Sequence, residues 1–466
     1  MTIQQYIYCF LAFFIALNLV QAQEFEEDVL TFNEYLGYVK KYHPIVKQAN
    51  LEIDKAQAQL MEARGGFDPK VEVDYDAKEF KDSEYYSLLT SSFKIPTWYG
   101  IEIKAGFDNS EGVFLNPQNT MPNQGLTSLG ITVPLGQGLF INQRMADVRA
   151  AKLQIQLSES ERKLEAILVL YDAAEAYFTW KRSYDETKLY ENYLEYARVR
   201  YKGVETLIEQ GDKPAIDSVE AGITVKNRRL NLENSQLKLT KAKLGLANYL
   251  WITDIPVELE DNVIPEENLM VTVQETLRTN NLITETSFID SHPKILALEN
   301  KISILDVDRR LRANMLLPKI DVGYHYLSEP SNFNNYRFED YKIGINFAFP
   351  IFLRKERGKL KLAKLKIQDT QFELDSERVT LKNKIDAQQT EIQSLQKQKQ
   401  IIDQLVESYA TMLRAEERLF TFGESSLFLI NSRENKLVSE RISQIDIENR
   451  FYMSNAKLFK ILANPD

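Results

Sequence analysis

Residues 164–178 read LEAILVLYDAAEAYF. Apolar side chains recur at Leu164, Ile167, Tyr171, Ala174 and Phe178, at alternating intervals of three and four. That spacing is the seam of a helix packed on other helices. Outward from it, the stretch from about Arg144 to Gln210 holds no proline, and its only glycine is Gly203. A helix of that length would be roughly 100 Å long, whereas ordinary globular helices run about 11–12 residues. A compact domain has no use for such a rod. A second rod follows from about Glu356 to Phe422. Its seam is Leu381, Ile385, Ile392, Leu395, Ile402, Val406, Tyr409 and Leu413, with polar Gln388 and Lys399 at two intervening positions.

The remaining composition narrows the function classes. A chain of 466 residues, 44% hydrophobic and 27% charged, sustains a large ordered structure. A net charge of −10 argues against a nucleic-acid surface, which would be basic. The three histidines are too few and too scattered for a metal cluster. No GxGxxG or P-loop occurs, and no nucleophile is paired with a histidine base. No catalytic, cofactor-binding or metal residue is therefore assigned, and the chain is not read as an enzyme. Residues 1–22 carry no charge, contain an apolar run from Tyr8 to Val20, and end Val20-Gln21-Ala22. They read as a secretory signal peptide that lacks the usual basic start; an N-terminal membrane anchor is the other reading. Cleavage after Ala22 would remove Cys9, the single cysteine. No later segment has 18 consecutive apolar residues, as a membrane-spanning helix requires.

In chain order, residues 31–42 predict a short amphipathic helix broken at His43-Pro44, and Pro44 opens a helix to about Arg64. Val71, Val73 and Tyr75 then alternate with Glu72, Asp74 and Asp76, the two-residue period of a strand. Further strands are expected near 84–95, 100–108 and 127–134, the middle two pairing across Pro96–Gly100. After the first rod, Gly211-Asp212-Lys213-Pro214 turns the chain, with glycine closing one helix and proline opening the next, to about Leu250. Residues 252–268 predict an irregular acidic connector, followed by a short helix near 269–279.

The pattern then restarts. His43-Pro44 recurs as His292-Pro293, and Pro69-Lys70-Val71-Glu72-Val73 as Pro318-Lys319-Ile320-Asp321-Val322, both 249 residues later. Ala151–Ile155 recurs as Ala363–Ile367, and Gly211 as Gly423, both 212 later. The drop in offset falls among the strands, so the first half carries an insertion large enough for one more hairpin. The expected organisation is a signal peptide at 1–22 and an N-terminal equatorial segment at 23–42. A first repeat follows at 43–251, with strands over about 69–134 and a long helix over about 144–210. A connector at 252–285 precedes a second repeat at 286–466, with strands over about 318–350 and a long helix over about 356–422.

Segments of about ten residues with alternating polarity mark outer-membrane barrel strands, apolar toward lipid and polar toward water. A soluble sheet covering a core gives the same alternation. On the membrane reading, four to six strands do not close a barrel, because the smallest known need eight. An open edge in lipid is prohibitive. Several chains would then share one barrel.

The duplicated order, the two rods and the turn motifs at Gly211–Ala221 and Gly423–Ser432 resemble the outer membrane efflux (TolC-like) family over nearly all of the mature chain. The resemblance implies an α+β fold, with duplicated long-helix coiled-coil hairpins forming an α-helical barrel and β-hairpins contributing to a shared transmembrane β-barrel. It implies a homotrimer in the outer membrane of a Gram-negative bacterium, extending into the periplasm. It also implies docking at the helix tips onto a periplasmic adaptor (membrane fusion protein) and an inner-membrane pump, in tripartite efflux or type I secretion. Transport through the conduit would be passive. Family members with a closed entrance often carry acidic residues six and nine positions after the second turn glycine; here those positions hold Leu429 and Ser432. The first half holds Asp217 and Glu220 at the same offsets from Gly211, and Asp212 and Glu424 follow the two turn glycines. Gly211, Asp212, Asp217, Glu220, Gly423 and Glu424 are the candidate gating or adaptor-contact residues. Support of the helix dipole is the other role open to the carboxylates. A soluble periplasmic coiled-coil scaffold or adaptor is the competing reading of the whole chain.

Overall fold

A computed structural model describes residues 28–279 and 286–463, except 333 and 336. The expected signal segment, residues 23–27 and residues 280–285 of the connector lie outside the described residues. In chain order the elements are β1 (Asp28–Leu30), α1 (Phe32–Tyr42), α2 (Pro44–Gly65), β2 (Lys70–Phe80), β3 (Ser83–Pro96), β4 (Glu102–Glu111), β5 (Leu126–Pro134), α3 (Gln143–Glu209) and α4 (Ile216–Ala247). Then come β6 (Trp251–Ile252), β7 (Ile255–Pro256), β8 (Val263–Pro265), α5 (Leu269–Thr276), α6 (Thr286–Asp290), α7 (Pro293–Asn314), β9 (Lys319–Ser328), β10 (Tyr341–Ala348), α8 (Arg354–Thr421) and α9 (Leu427–Leu462).

The two rods, α3 and α8, are single helices of 67 and 68 residues. The repeat extends to atomic detail. Helices α2 and α7 each have 22 residues. The histidine before each acts as a cap: Nδ1 of His43 accepts from the Ile45 N–H at 3.3 Å, and Nδ1 of His292 from the Lys294 N–H at 3.1 Å. Two expectations are corrected. Pro214 lies outside α4: its carbonyl accepts from the Asp217 N–H at 3.0 Å, so it opens a tight turn ahead of the first helical residue, Ile216. The acidic connector is not irregular throughout. Its first residues form the two-stranded β6–β7 ribbon, and β8 pairs in parallel with β1.

The described chain forms two compact units, and each draws on both halves of the sequence. One comprises residues 28–48, 165–279 and 382–463. Its core is aromatic: Phe32, Tyr35, Tyr177, Phe178, Trp180 and Phe451 are all fully buried. Tyr177 ties three segments together, donating its O–H to the Leu30 carbonyl at 2.7 Å and accepting from the Glu266 N–H at 3.2 Å. The α8 seam is buried from Leu381 through Leu395 and Ile402 to Leu413, as its spacing predicts. Buried Gln388 in that seam is satisfied by the Ser454 hydroxyl at 2.5 Å. Lys399, at the other polar seam position, is paired as well: its Nζ lies 2.8 Å from Asp403 and 3.2 Å from Glu448.

The other unit comprises residues 49–164 and 286–381 and carries a six-stranded sheet in the order β10-β9-β5-β4-β3-β2. Every neighbouring pair is antiparallel. Lys81 and Asp82, at φ 52° and 56°, form the tight β2–β3 turn, the positive-φ pair that a two-residue hairpin requires. The insertion in the first half is now visible: β3 and β4 stand between β2 and β5 in the same sheet. Trp98, in the β3–β4 turn, stacks on Phe67 at 5.4 Å and packs beside Ile141, Met145 and Leu311, so it anchors the turn to the core.

Candidate functional site

The turn that ends each rod is the same structure twice. In the first, the Gly211 N–H donates to the Ile208 carbonyl at 3.0 Å and the Asp212 N–H to Leu207 at 2.9 Å. In the second, the Gly423 N–H donates to Phe420 at 3.1 Å and the Glu424 N–H to Leu419 at 2.9 Å. This paired pattern is the Schellman motif, which needs a left-handed residue at the turn. Gly211 and Gly423 supply it with φ of 81° and 79°.

The acidic candidates then separate. Asp212 and Glu424 are exposed beside their glycines. Asp217 lies in the first turn of α4, where a carboxylate favours the helix dipole. Glu220 does something else: its carboxylate accepts from the Asn431 side-chain amide at 3.0 Å. Asn431 lies on α9, so this bond joins the second arms of the two hairpins. It leads into a buried polar cluster that sequence reading missed. Glu434 accepts from Arg228 at 3.1 Å and pairs with Arg200 at 2.5 Å, and Arg200 also reaches Glu417 at 3.6 Å. Arg228 bonds Asn435 at 2.7 Å and sits over the Tyr193 ring at 5.8 Å. The available signal was polar residues at core positions of helices, but their partners lie about 200 residues away. Beside the turns, Val204, Ala221 and Leu427 form a small core with Phe420, and the Lys213 ammonium lies 4.8 Å from the Phe420 ring centre.

Helix α4 has an inverted character. Its buried stripe is Ala221, Arg228, Ser235 and Ala242, at intervals of seven. Ile216, Ile223, Leu230, Leu237 and Leu244, also at sevens, are exposed by 54–67%. The aliphatic seam of this helix is therefore uncovered in the single chain.

In the other unit, the sheet has two chemically distinct faces. Register places Val71, Val73, Phe93, Ile103, Phe107, Leu129, Ile131, Val322, Tyr324, Ile343 and Ile345 on one side. Most are exposed, Val71 by 72% and Ile345 by 71%. The opposite side carries Glu72, Asp74, Asp108, Thr132, Gly323 and Asn346. A large exposed apolar band backed by a polar face fits lipid on one side and water on the other. Among the described residues, no helix is long and apolar enough to cross a membrane, and no cluster suited to a metal ion is present.

A membrane-type sheet and duplicated long helical hairpins define a channel-forming class of protein. The chain matches the model of the outer membrane efflux protein family over residues 39–250 and 287–464 and belongs to that family. It is an outer-membrane channel serving efflux, from a transport family rather than an enzyme family. Channels of this family are generally trimeric and work with adaptors and pumps. Among solved structures, CusC is 14% identical with a TM-score of 0.68, covering 92% of this chain and 91% of that one. The CmeC outer membrane channel of Campylobacter jejuni is 14% identical with a TM-score of 0.65, covering 92% and 85%. The outer membrane protein VceC of Vibrio cholerae is 14% identical with a TM-score of 0.64, covering 93% and 96%. No curated protein sequence matches the chain.

Proposed function

We propose that the chain works as a homotrimer whose three sheets close into one eighteen-stranded barrel, forming the outer-membrane end of a tripartite efflux or type I secretion system. Transport through it is passive, with no catalytic step of its own, and energy comes from an inner-membrane pump joined through a periplasmic adaptor. The repeats at 43–251 and 286–466 each supply one helical hairpin. The observation that carries this reading is the pair of free edges on the six-stranded sheet. Strands β10 and β2 are exposed along their whole length. Successive strands alternate in direction, so β10 of one copy meets β2 of the next antiparallel, with apolar faces aligned. An unpaired edge in lipid leaves backbone groups unsatisfied at several kcal/mol each, and closure on further copies removes every edge. Barrels of about 16–18 strands enclose an aqueous channel. The uncovered seam of α4 independently supports contact between copies.

At the hairpin turns, Asp212, Asp217, Glu220 and Glu424 form the acidic surroundings of the entrance, with Gly211 and Gly423 holding the turn shape. Exposed Ile216, Val219, Phe422 and Phe428 beside them offer an apolar surface for the adaptor. Disulfide trapping tests the closure. Cysteine at Ile345 is combined in turn with cysteine at Val71, Val73 or Tyr75. At least one pair is expected to give a trimer on a non-reducing gel of outer membranes. The absence of any such band, with the protein recovered in the soluble fraction, would favour a periplasmic scaffold instead.

A further inference from the structure

The polar face of the sheet carries an ordered charge pattern. Tracing the register from one edge to the other, Lys70 stands opposite Lys94, Lys94 opposite Lys104, Lys104 opposite Gly130, Gly130 opposite His325, and His325 opposite Lys342. One cross-strand row thus holds four lysines and a histidine over six strands. Neighbouring strands lie about 4.8 Å apart, so the row spans roughly 24 Å. Gly130 leaves no break in it. A Cβ there would come within 2.1 Å of the Tyr324 carbonyl oxygen and 2.4 Å of Nδ1 of His325, so the β9 backbone and the imidazole together occupy the space beside the glycine.

Two carboxylates border the row and leave it net positive, although Glu72 feels Lys70 and Lys104 as well as its partner Lys94. On the hairpin side the adjacent row is Glu72, Ser92, Gly106 and Ser128, and Glu72 pairs with Lys94. On the other side it is Glu102, Thr132, Gly323 and Gly344, and Glu102 pairs with Arg144. Among the described residues, Lys70, Lys104 and Lys342 have no carboxylate within ion-pair distance. Free carboxylates return one row further toward the hairpins, where Asp74 and Asp108 flank Thr90. Charge on this face is segregated by row rather than mixed.

We propose that this row is an anion-binding stripe on the lumen wall, engaging carboxylate or phosphate groups on passing solutes and biasing the pore toward anions. The inference rests on the closed-barrel reading above, which makes the polar face the lumen. In a trimer the stripe occurs three times. Because it runs perpendicular to the strands, each copy climbs the wall at the strand tilt, about 35–45° in closed barrels. Opposed low-dielectric walls focus the field of such charges, and rings of lysine or arginine are how pores favour anions. Gly106 and Gly344, next along the strands from Lys104 and Lys342 on the same face, keep side-chain bulk away from those two ammonium groups, leaving them open to a solute.

The test uses the full-length trimer purified from outer membranes. Inorganic triphosphate binding is measured by titration calorimetry at low salt, and ion selectivity by the reversal potential in planar bilayers under a potassium chloride gradient. The wild-type protein is expected to bind triphosphate. Lys70→Gln, Lys104→Gln and Lys342→Gln combined are expected to weaken binding at least tenfold and to move the reversal potential toward cation preference. The corresponding three arginine substitutions are expected to retain both properties. Asp74→Asn with Asp108→Asn should shift selectivity the opposite way from the lysine variant. Unchanged binding and reversal potential in a lysine variant that still forms trimers would overturn the stripe alone. Failure of the wild-type protein to form membrane trimers would overturn the barrel reading beneath it.

Discussion

The carboxylate of Glu434 accepts from the guanidinium of Arg228 at 3.1 Å, with the two side chains only 1% and 6% exposed. The two residues are 206 positions apart, one in each repeat. Removing one partner of a buried pair strands the other charge, typically at about 3–5 kcal/mol. Glu434→Ala is therefore expected to destabilise this unit by that amount, more than Glu417→Ala, whose partner Arg200 keeps Glu434. Thermal denaturation of the two variants checks the order. If Glu434→Ala matched Glu417→Ala, the buried pair would carry no special weight.

The inverted stripes of α4 predict a separation of folding from assembly. Leu230 and Leu237 are exposed by 60% and 57%, so Leu230→Asp with Leu237→Asp should change the stability of the single chain by no more than about 0.5 kcal/mol per site. The same variant should lose trimers on native gels. Ser235→Leu, on the buried stripe, should show the reverse: a cost of about 1–3 kcal/mol from overpacking, with the copy-to-copy seam untouched.

The twin turns should respond alike to one change. No heavy atom lies within 4 Å of a Cβ built on Gly211 or Gly423, so an added methyl meets only backbone strain. Gly211→Ala and Gly423→Ala are each expected to cost about 1–2 kcal/mol, the penalty of left-handed backbone for a residue with Cβ. Replacement by asparagine, which tolerates that conformation better, should cost less. Denaturant midpoints of the four variants provide the comparison.

Beside the first hairpin turn, Glu220 and Asp217 should differ. Asp217→Ala removes a dipole contact of about 0.3–1 kcal/mol. Glu220→Ala also strands the amide of Asn431. Glu220→Ala is expected to alter drug susceptibility and adaptor crosslinking in cells, with Asp217→Ala the weaker of the two. Wild-type behaviour in both variants and in their combination would remove these carboxylates from gating and docking.

His43 predicts a pH response. Burial holds its imidazole below the ordinary value of 6.5, against a smaller opposing contribution from a hydrogen bond to the Asn248 backbone. The ring also stacks on Tyr249 at 5.6 Å. With the folded value depressed, the unfolded chain takes the proton first. The stability this site contributes is complete above the unfolded value and is lost as pH falls below it. His43→Asn keeps a cap acceptor and removes the titration. Its melting temperature should fall less steeply than the wild type's between about pH 7 and 5; parallel curves would argue against the assignment.

Much of this protein was legible in the chain itself. The seams at Leu164–Phe178 and Leu381–Leu413, the helix breaks at His43-Pro44 and His292-Pro293, the turn glycines and the strand alternation at Val71–Tyr75 all follow from contacts within a few residues. Helical and strand periods are local properties, so sequence alone determined the rods, the duplication and the alternating strands, and through them the family. Pairing is not local. That β3 and β4 stand inside the sheet, that Glu220 meets Asn431, that Arg228 is buried against Glu434, and that Lys70, Lys94, Lys104, His325 and Lys342 share one row are all set by register between distant segments. A shift of one residue would turn every side chain of a strand to the other face. Only the tertiary structure fixes that register, because it comes from matching whole faces rather than from any single stretch.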